Sequence, residues 1–222
     1  MDNSVEVDLW YSTSLDLGDR IADELAGMSV SYELNHHYDK LFTPRIATYQ
    51  CKNCDIDFTE KNCVSSGAYC AYTPSFYQYY KLDEDPLFHM TGRDVIIQGL
   101  REKCLHKLMT EKYHDEGSTF FTFLNYVDSC FAEPKFSMFM WSKTRERAHS
   151  LDECYDWKTV MIGNTEEVDT LNECVWGSFE VKGEMETDNT ILREDRLWAA
   201  LNQVSLHPSI TVNNVTYTNS TG

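Results

Sequence analysis

The feature that most constrains this chain is its set of eight cysteines, at positions 51, 54, 63, 70, 104, 130, 154 and 174. The tightest group reads Cys51-Lys-Asn-Cys54, then Cys63, then Cys70-Ala-Tyr-Thr-Pro74. An even number of cysteines in a Tyr- and Trp-rich chain points to a fold made in an oxidising compartment, where thiols become crosslinks. Three uses of sulfur compete. Cys51-x2-Cys54 with Cys63-x6-Cys70 could offer four thiolates to zinc, but the second spacing is looser than a zinc knuckle's and the other cysteines fall outside the scheme. Cys51-x2-Cys54 has the spacing of a redox pair and follows a predicted strand. Structural disulfides account for all of Cys51, Cys54, Cys63, Cys70, Cys104, Cys130, Cys154 and Cys174, and this is the reading adopted. The connectivity stays open at this level, with local closure among residues 51 to 70 favoured because short loops close readily.

At 222 residues the chain is long enough to bury a sizeable core, and its 42% hydrophobic and 13% aromatic content is that of a folded protein. The formal charge of −17 repels phosphate backbones and anionic headgroups, which argues against nucleic acid and unassisted membrane binding. No segment approaches the roughly 20 consecutive apolar residues that span a bilayer. Met1-Asp-Asn-Ser-Val5 has neither a basic nor an apolar leader region, so the chain is read as a domain taken from a longer secretory protein. Two glycosylation triplets, at Asn214 and Asn219, agree with that compartment.

Val5 to Tyr11 alternates apolar and polar residues and predicts a strand. Thr13-x-x-Asp16 then resembles a capping box for a helix carrying Leu17, Ile21, Leu25 and Met28 on one face. A second strand is expected at 45–50, after Pro44. The middle, about 52–190, reads as mainly helical: Thr91-x-x-Asp94 caps a helix with Ile97, Leu100, Cys104 and Leu108 in one stripe. Phe120 to Cys130 is a further apolar stretch, and Ser150-x-x-Glu153 and Asn164-x-x-Glu167 start helices bearing Cys154 and Cys174. Glu194 to Val204 predicts a helix through Leu197, Ala200 and Leu201. Strands at 209–212 and 215–218 follow, joined by Asn213-Asn214, since Asn tolerates the positive φ of a tight turn.

That order is similar to a thioredoxin-like fold with a helical insertion, and Pro208, followed by Ser209 to Val212, looks like that fold's cis-proline strand. The chain more specifically resembles the central luminal domain of the plant-type vacuolar sorting receptors. The likeness runs through Val7-Asp-Leu-Trp10, Tyr49-Gln-Cys51, Lys61-Asn-Cys63, Ser66-Gly-Ala-Tyr-Cys70, Gly92-Arg-Asp-Val95, Leu100-x3-Cys104 and Tyr126-x3-Cys130. It continues through Glu153-Cys154, Asn172-Glu-Cys174, Asp188-Asn189 with Leu192, and Pro208-x3-Val212-Asn213-Asn214. The family usually carries two further cysteines, four apart, at the start of the first helix; Leu17 and Ile21 stand there in this chain, with Gly18 between. Thiol chemistry at the usual thioredoxin position therefore has no sulfur to run on.

The resemblance implies a single α/β domain over 1–222, a thioredoxin-like sheet with a large disulfide-braced helical insertion. It also implies a non-catalytic role in recognising cargo proteins or peptides, shared with adjacent receptor domains, in the secretory-pathway lumen or outside the cell as part of a membrane-anchored protein. No cofactor or metal is implied. Two alternatives stand beside it: a structural or interaction subunit of a lumenal or extracellular assembly that reuses the fold, and a thiol-disulfide oxidoreductase. His36-His37 could titrate near neutrality. Asp83-Glu-Asp85 lacks an EF-hand's spacing. Phe76, Tyr77, Tyr79 and Tyr80 read as packing or as a peptide patch.

Overall fold

The computed structural model describes residues 5–11, 40–72, 91–113, 165–205 and 209–218. Two strands begin the architecture, β1 (Val5–Tyr11) and β2 (Lys40–Ile46). A short helix α1 (Ile56–Asn62) leads into the small strands β3 (Cys63–Val64) and β4 (Tyr69–Cys70). The long helix α2 (Gly92–Tyr113), then α3 (Thr165–Gly177) and α4 (Thr190–Leu201), precede the final hairpin of β5 (Ser209–Val212) and β6 (Val215–Thr218). The main sheet has the order β2-β1-β5-β6. β1 runs parallel to β2 and antiparallel to β5, and β5 is antiparallel to β6. This is the arrangement of a thioredoxin-like sheet. A parallel pair needs a crossover, and the helix predicted between β1 and β2 lies outside the described residues, as do the segments around Cys130 and Cys154.

The alternation of β1 does what its pattern dictates. Val7, Leu9 and Tyr11 are buried, and with Phe42 and Ile46 of β2 they join the core that α2 covers with Val95, Ile96, Leu100, Leu105 and Met109. The opposite face is polar: Trp10 donates from Nε1 to Thr211 Oγ1 at 3.1 Å, and Thr216 Oγ1 donates to the Asn202 carbonyl at 2.6 Å. α4 supplies the cover on that side, with Trp198 against Arg45.

Three sequence expectations shift. The second strand lies at Lys40–Ile46 rather than 45–50. Pro44 sits inside it, opposite Leu9, which is tolerated because β2 closes the sheet among the described residues and Pro lacks only a donor that an edge need not use. Residues 63–70, expected within a helical region, form the β3–β4 hairpin. The last helix begins at Thr190, where Asn189 Oδ1 accepts from Leu192 N at 3.0 Å, and its buried residues are Leu192 and Asp195. Leu197 and Leu201, read as its core stripe, are 62% and 74% exposed. The cap of α2 is as the sequence indicates: Asp94 Oδ2 accepts from Thr91 N at 2.8 Å, and Thr91 Oγ1 accepts from Asp94 N at 3.2 Å.

Candidate functional site

The cysteines within the described residues form three bridges: Cys51–Cys54, Cys63–Cys70 and Cys104–Cys174. Cys63 and Cys70 face each other across β3 and β4, both fully buried. Their turn holds Ser65, Ser66 and Gly67 at φ of 52, 51 and 91°, and the strain of two non-glycine residues there is met by clamping from outside. Ser65 N donates to the Met185 carbonyl at 2.7 Å, Ser65 Oγ to the Thr187 carbonyl at 2.8 Å, and Ser66 Oγ to the Glu186 carbonyl at 3.2 Å. Tyr69 OH donates to Asp188 Oδ1 at 3.0 Å, and burial with this acceptor pushes the phenol up to about 12. Arg93 Nε reaches the Cys63 carbonyl at 2.7 Å. The hairpin is thus held by a loop more than a hundred residues further on.

Cys51–Cys54 closes the chain just before α1, which Asp55 caps by accepting from Phe58 N at 2.7 Å. Tyr49 and Cys70 exchange backbone hydrogen bonds of 3.0 and 2.8 Å, tying this bridge to the next. Burial, then the neighbouring Tyr72, raises the Tyr49 phenol above its ordinary value. Cys104 and Cys174 staple α2 to α3. The zinc reading requires four thiolates at 51, 54, 63 and 70; those sulfurs are spent in two bonds. Among the described residues, no group of three or more His, Cys, Asp or Glu is gathered where it could hold an ion.

A buried ionic network, which the sequence reading missed, joins the sheet to both helices. Arg45 Nε donates to Asp8 Oδ1 at 2.8 Å, and Arg45 Nη1 donates to Asp195 Oδ1 at 3.1 Å. Asp195, with a side chain 1% exposed, also accepts from Ile46 N at 3.0 Å and pairs with Lys103 of α2. The guanidinium lies near both Trp10, at 5.9 Å, and Trp198, at 5.1 Å. Burial works against the Arg45 charge, yet Asp8 and then Asp195 outweigh it and hold its pKa above the ordinary value. Burial lowers the Lys103 pKa in spite of Asp195. One turn on, His106 packs edge-on to Phe42 at 5.6 Å, and burial, then the Lys103 charge, push it down to about 4. The only local signals were a charged residue inside a strand pattern and Asp195 inside an apolar helix face. The partners lie 150 residues apart, beyond any local periodicity.

Of the other sequence candidates, Asn214 occupies the β5–β6 turn and is exposed. Cys130, Cys154, Pro208 and Asn219 lie outside the described residues, as do the histidine pair, the acidic run and the aromatic set. What the arrangement does chemically is brace: its sulfurs and buried charges engage one another.

Curated relatives are similar at a distance. Vacuolar-sorting receptor 6 of Arabidopsis thaliana is 28% identical over 120 residues, which cover 50% of this chain and 17% of the relative. Vacuolar-sorting receptor 7 of Arabidopsis thaliana is 23% identical over 231 residues, covering 97% of this chain and 32% of the relative. The chain therefore spans about a third or less of the relatives it matches. The profile of the vacuolar sorting receptor thioredoxin-like domain matches residues 5–221, almost the whole chain. With a sheet of the matching topology and cysteines committed to bridges, the chain belongs to the vacuolar sorting receptor thioredoxin-like domain family.

Proposed function

We propose that this chain is a non-catalytic luminal domain of a vacuolar or lysosome-type sorting receptor and contributes to recognition of cargo proteins or peptides together with neighbouring domains. The observation that carries this reading is the family match over residues 5–221, in a chain whose sequence has Leu17 and Ile21 where the family usually carries two cysteines. Bridges such as Cys63–Cys70 and Cys104–Cys174 support the luminal compartment, because disulfides form and persist where the redox poise is oxidising. The domain works as a single unit over 1–222, with the sheet, the cysteine hairpin and the stapled helices presenting a fixed surface. Among the described residues no helix is long and apolar enough to cross a membrane.

Pulldown with peptides bearing vacuolar sorting signals tests the role. The full receptor is expected to capture them and to lose affinity when residues 5–221 are deleted. Unchanged capture after deletion, with none by this chain alone, rejects it.

A further inference from the structure

The β5–β6 hairpin ends in a feature that cargo recognition leaves unused. Asn213 and Asn214 form its two-residue turn with φ of 47 and 64°, the positive pair that a type I′ turn requires. Their side chains have different fates. Asn213 Oδ1 accepts from Glu6 N at 3.0 Å, and its backbone N–H donates to the Glu6 carbonyl at 3.0 Å, so Asn213 stitches the turn to β1. Asn214 is exposed at the tip and opens the triplet Asn214-Val215-Thr216. Behind it runs β6, the last strand of the sheet among the described residues, whose Val215 and Tyr217 are 53% and 60% exposed on one face. A sheet edge with exposed apolar side chains is a template for pairing with another chain, and proteins cover such edges.

From this geometry we infer that Asn214 carries an N-linked glycan, and that this glycan covers the β6 edge. The inference rests on the secretory-lumen reading above. In the transfer, Asn214 Nδ2 forms a bond to the anomeric carbon of a lipid-pyrophosphate-linked oligosaccharide. The anomeric C–O bond breaks, the lipid pyrophosphate leaves, and Nδ2 gives up one proton. The requirement for Ser or Thr at the third position means that the hydroxyl takes part. In the folded domain that hydroxyl donates to the Asn202 carbonyl at 2.6 Å and lies 3.3 Å from Thr211 Oγ1. Transfer therefore precedes closure of the hairpin onto α4, and the sugar then projects from a tip where it displaces no packed side chain.

The parent protein, purified from cells that make it, is digested without reduction, and its N-glycans are released by the glycosidase that converts a modified Asn to Asp. Asn214 is expected as Asp, and this conversion is lost in Asn214→Gly, which keeps the positive φ, and kept in Thr216→Ser. Asn214 recovered unmodified beside intact bridges overturns the site but leaves the compartment reading standing; unmodified Asn214 beside free thiols overturns both. A glycan found on Asn219 with Asn214 unmodified overturns the site at Asn214. In sedimentation, Asn214→Gly is expected to shift toward larger species at concentrations where the glycosylated protein stays monomeric. Identical distributions overturn the shielding.

Discussion

Replacing Asp195 with Asn tests whether the buried network holds the sheet to the helices. The substitution keeps the side chain's shape and an oxygen for the Ile46 N–H, but removes the charge that faces Lys103 and Arg45. Arg45 retains Asp8 at 2.8 Å and Glu194 at 3.5 Å, so its loss is partial. Lys103, with 15% of its side chain exposed, is left as a buried cation beside another. Removing one partner of a buried ion pair destabilises by about 3–5 kcal/mol, and the surviving Arg45 contacts place this case near about 3 kcal/mol. For a domain of this size that corresponds to a fall in melting temperature of about 6–12 °C. Urea unfolding at unchanged m-value reads the loss directly. The pH dependence has a definite sign. Lys103 has a folded pKa below its ordinary 10.5, so its burial opposes folding fully below that folded pKa and is relieved as pH rises toward 10.5. Asp195→Asn should steepen this trend. Adding Lys103→Met should recover at least half of the loss, because no cation is then stranded. A loss below about 1 kcal/mol, or the same loss in the Lys103→Met background, refutes the reasoning.

Further outcomes follow from the same structure. Removing Cys104–Cys174 as a double alanine variant should cost about 4 kcal/mol, since it closes a separation of 70 residues, whereas removing Cys51–Cys54, with a separation of 3, should cost about 1.5 kcal/mol; urea midpoints rank them. His106 binds a proton only near pH 4 when folded but near 6.5 when unfolded, so its contribution is complete above about 6.5 and is lost as pH falls through about 4. The difference in stability between wild type and His106→Leu should change by about 3 kcal/mol across that window, and a flat difference rejects the burial argument. Gly92→Ala should destabilise by at least about 2 kcal/mol, because a Cβ there meets the Ala71 carbonyl and Asn62 Oδ1, which already accepts from Gly92 N at 3.0 Å.

Much of the sheet could be read before the structure. β1 announced itself by its alternation through Val7, Leu9 and Tyr11, although Trp10 on the other face is buried as well, and the β5–β6 hairpin by two Asn residues able to take positive φ. The start of α2 was legible because a capping box is local chemistry. β2 was misplaced because Pro44 reads as punctuation unless one knows that the strand lies at an edge. α4 was misread because Leu197 and Leu201 fit a helical stripe while the face that is buried contains an aspartate. No apolar scale expects Asp195 inside, since its burial depends on Arg45 and Lys103, which arrive from distant parts of the chain. The cysteine pairing was undecidable for the same reason, except that closure favoured local pairing within residues 51–70, where two of the bridges lie. The clamp on the β3–β4 turn uses backbone carbonyls of residues 185–187, which carry no sequence signature.

A peptide map of the native protein under non-reducing conditions, with alkylation of any free thiol before digestion, bears most directly on the account. It predicts Cys51–Cys54, Cys63–Cys70 and Cys104–Cys174 as linked peptides, with no alkylated cysteine, Cys130 and Cys154 included. Alkylation of Cys51 or Cys54 in the native state would contradict a purely bracing role for sulfur, and linkage of either to a cysteine outside residues 51–70 would contradict these pairings.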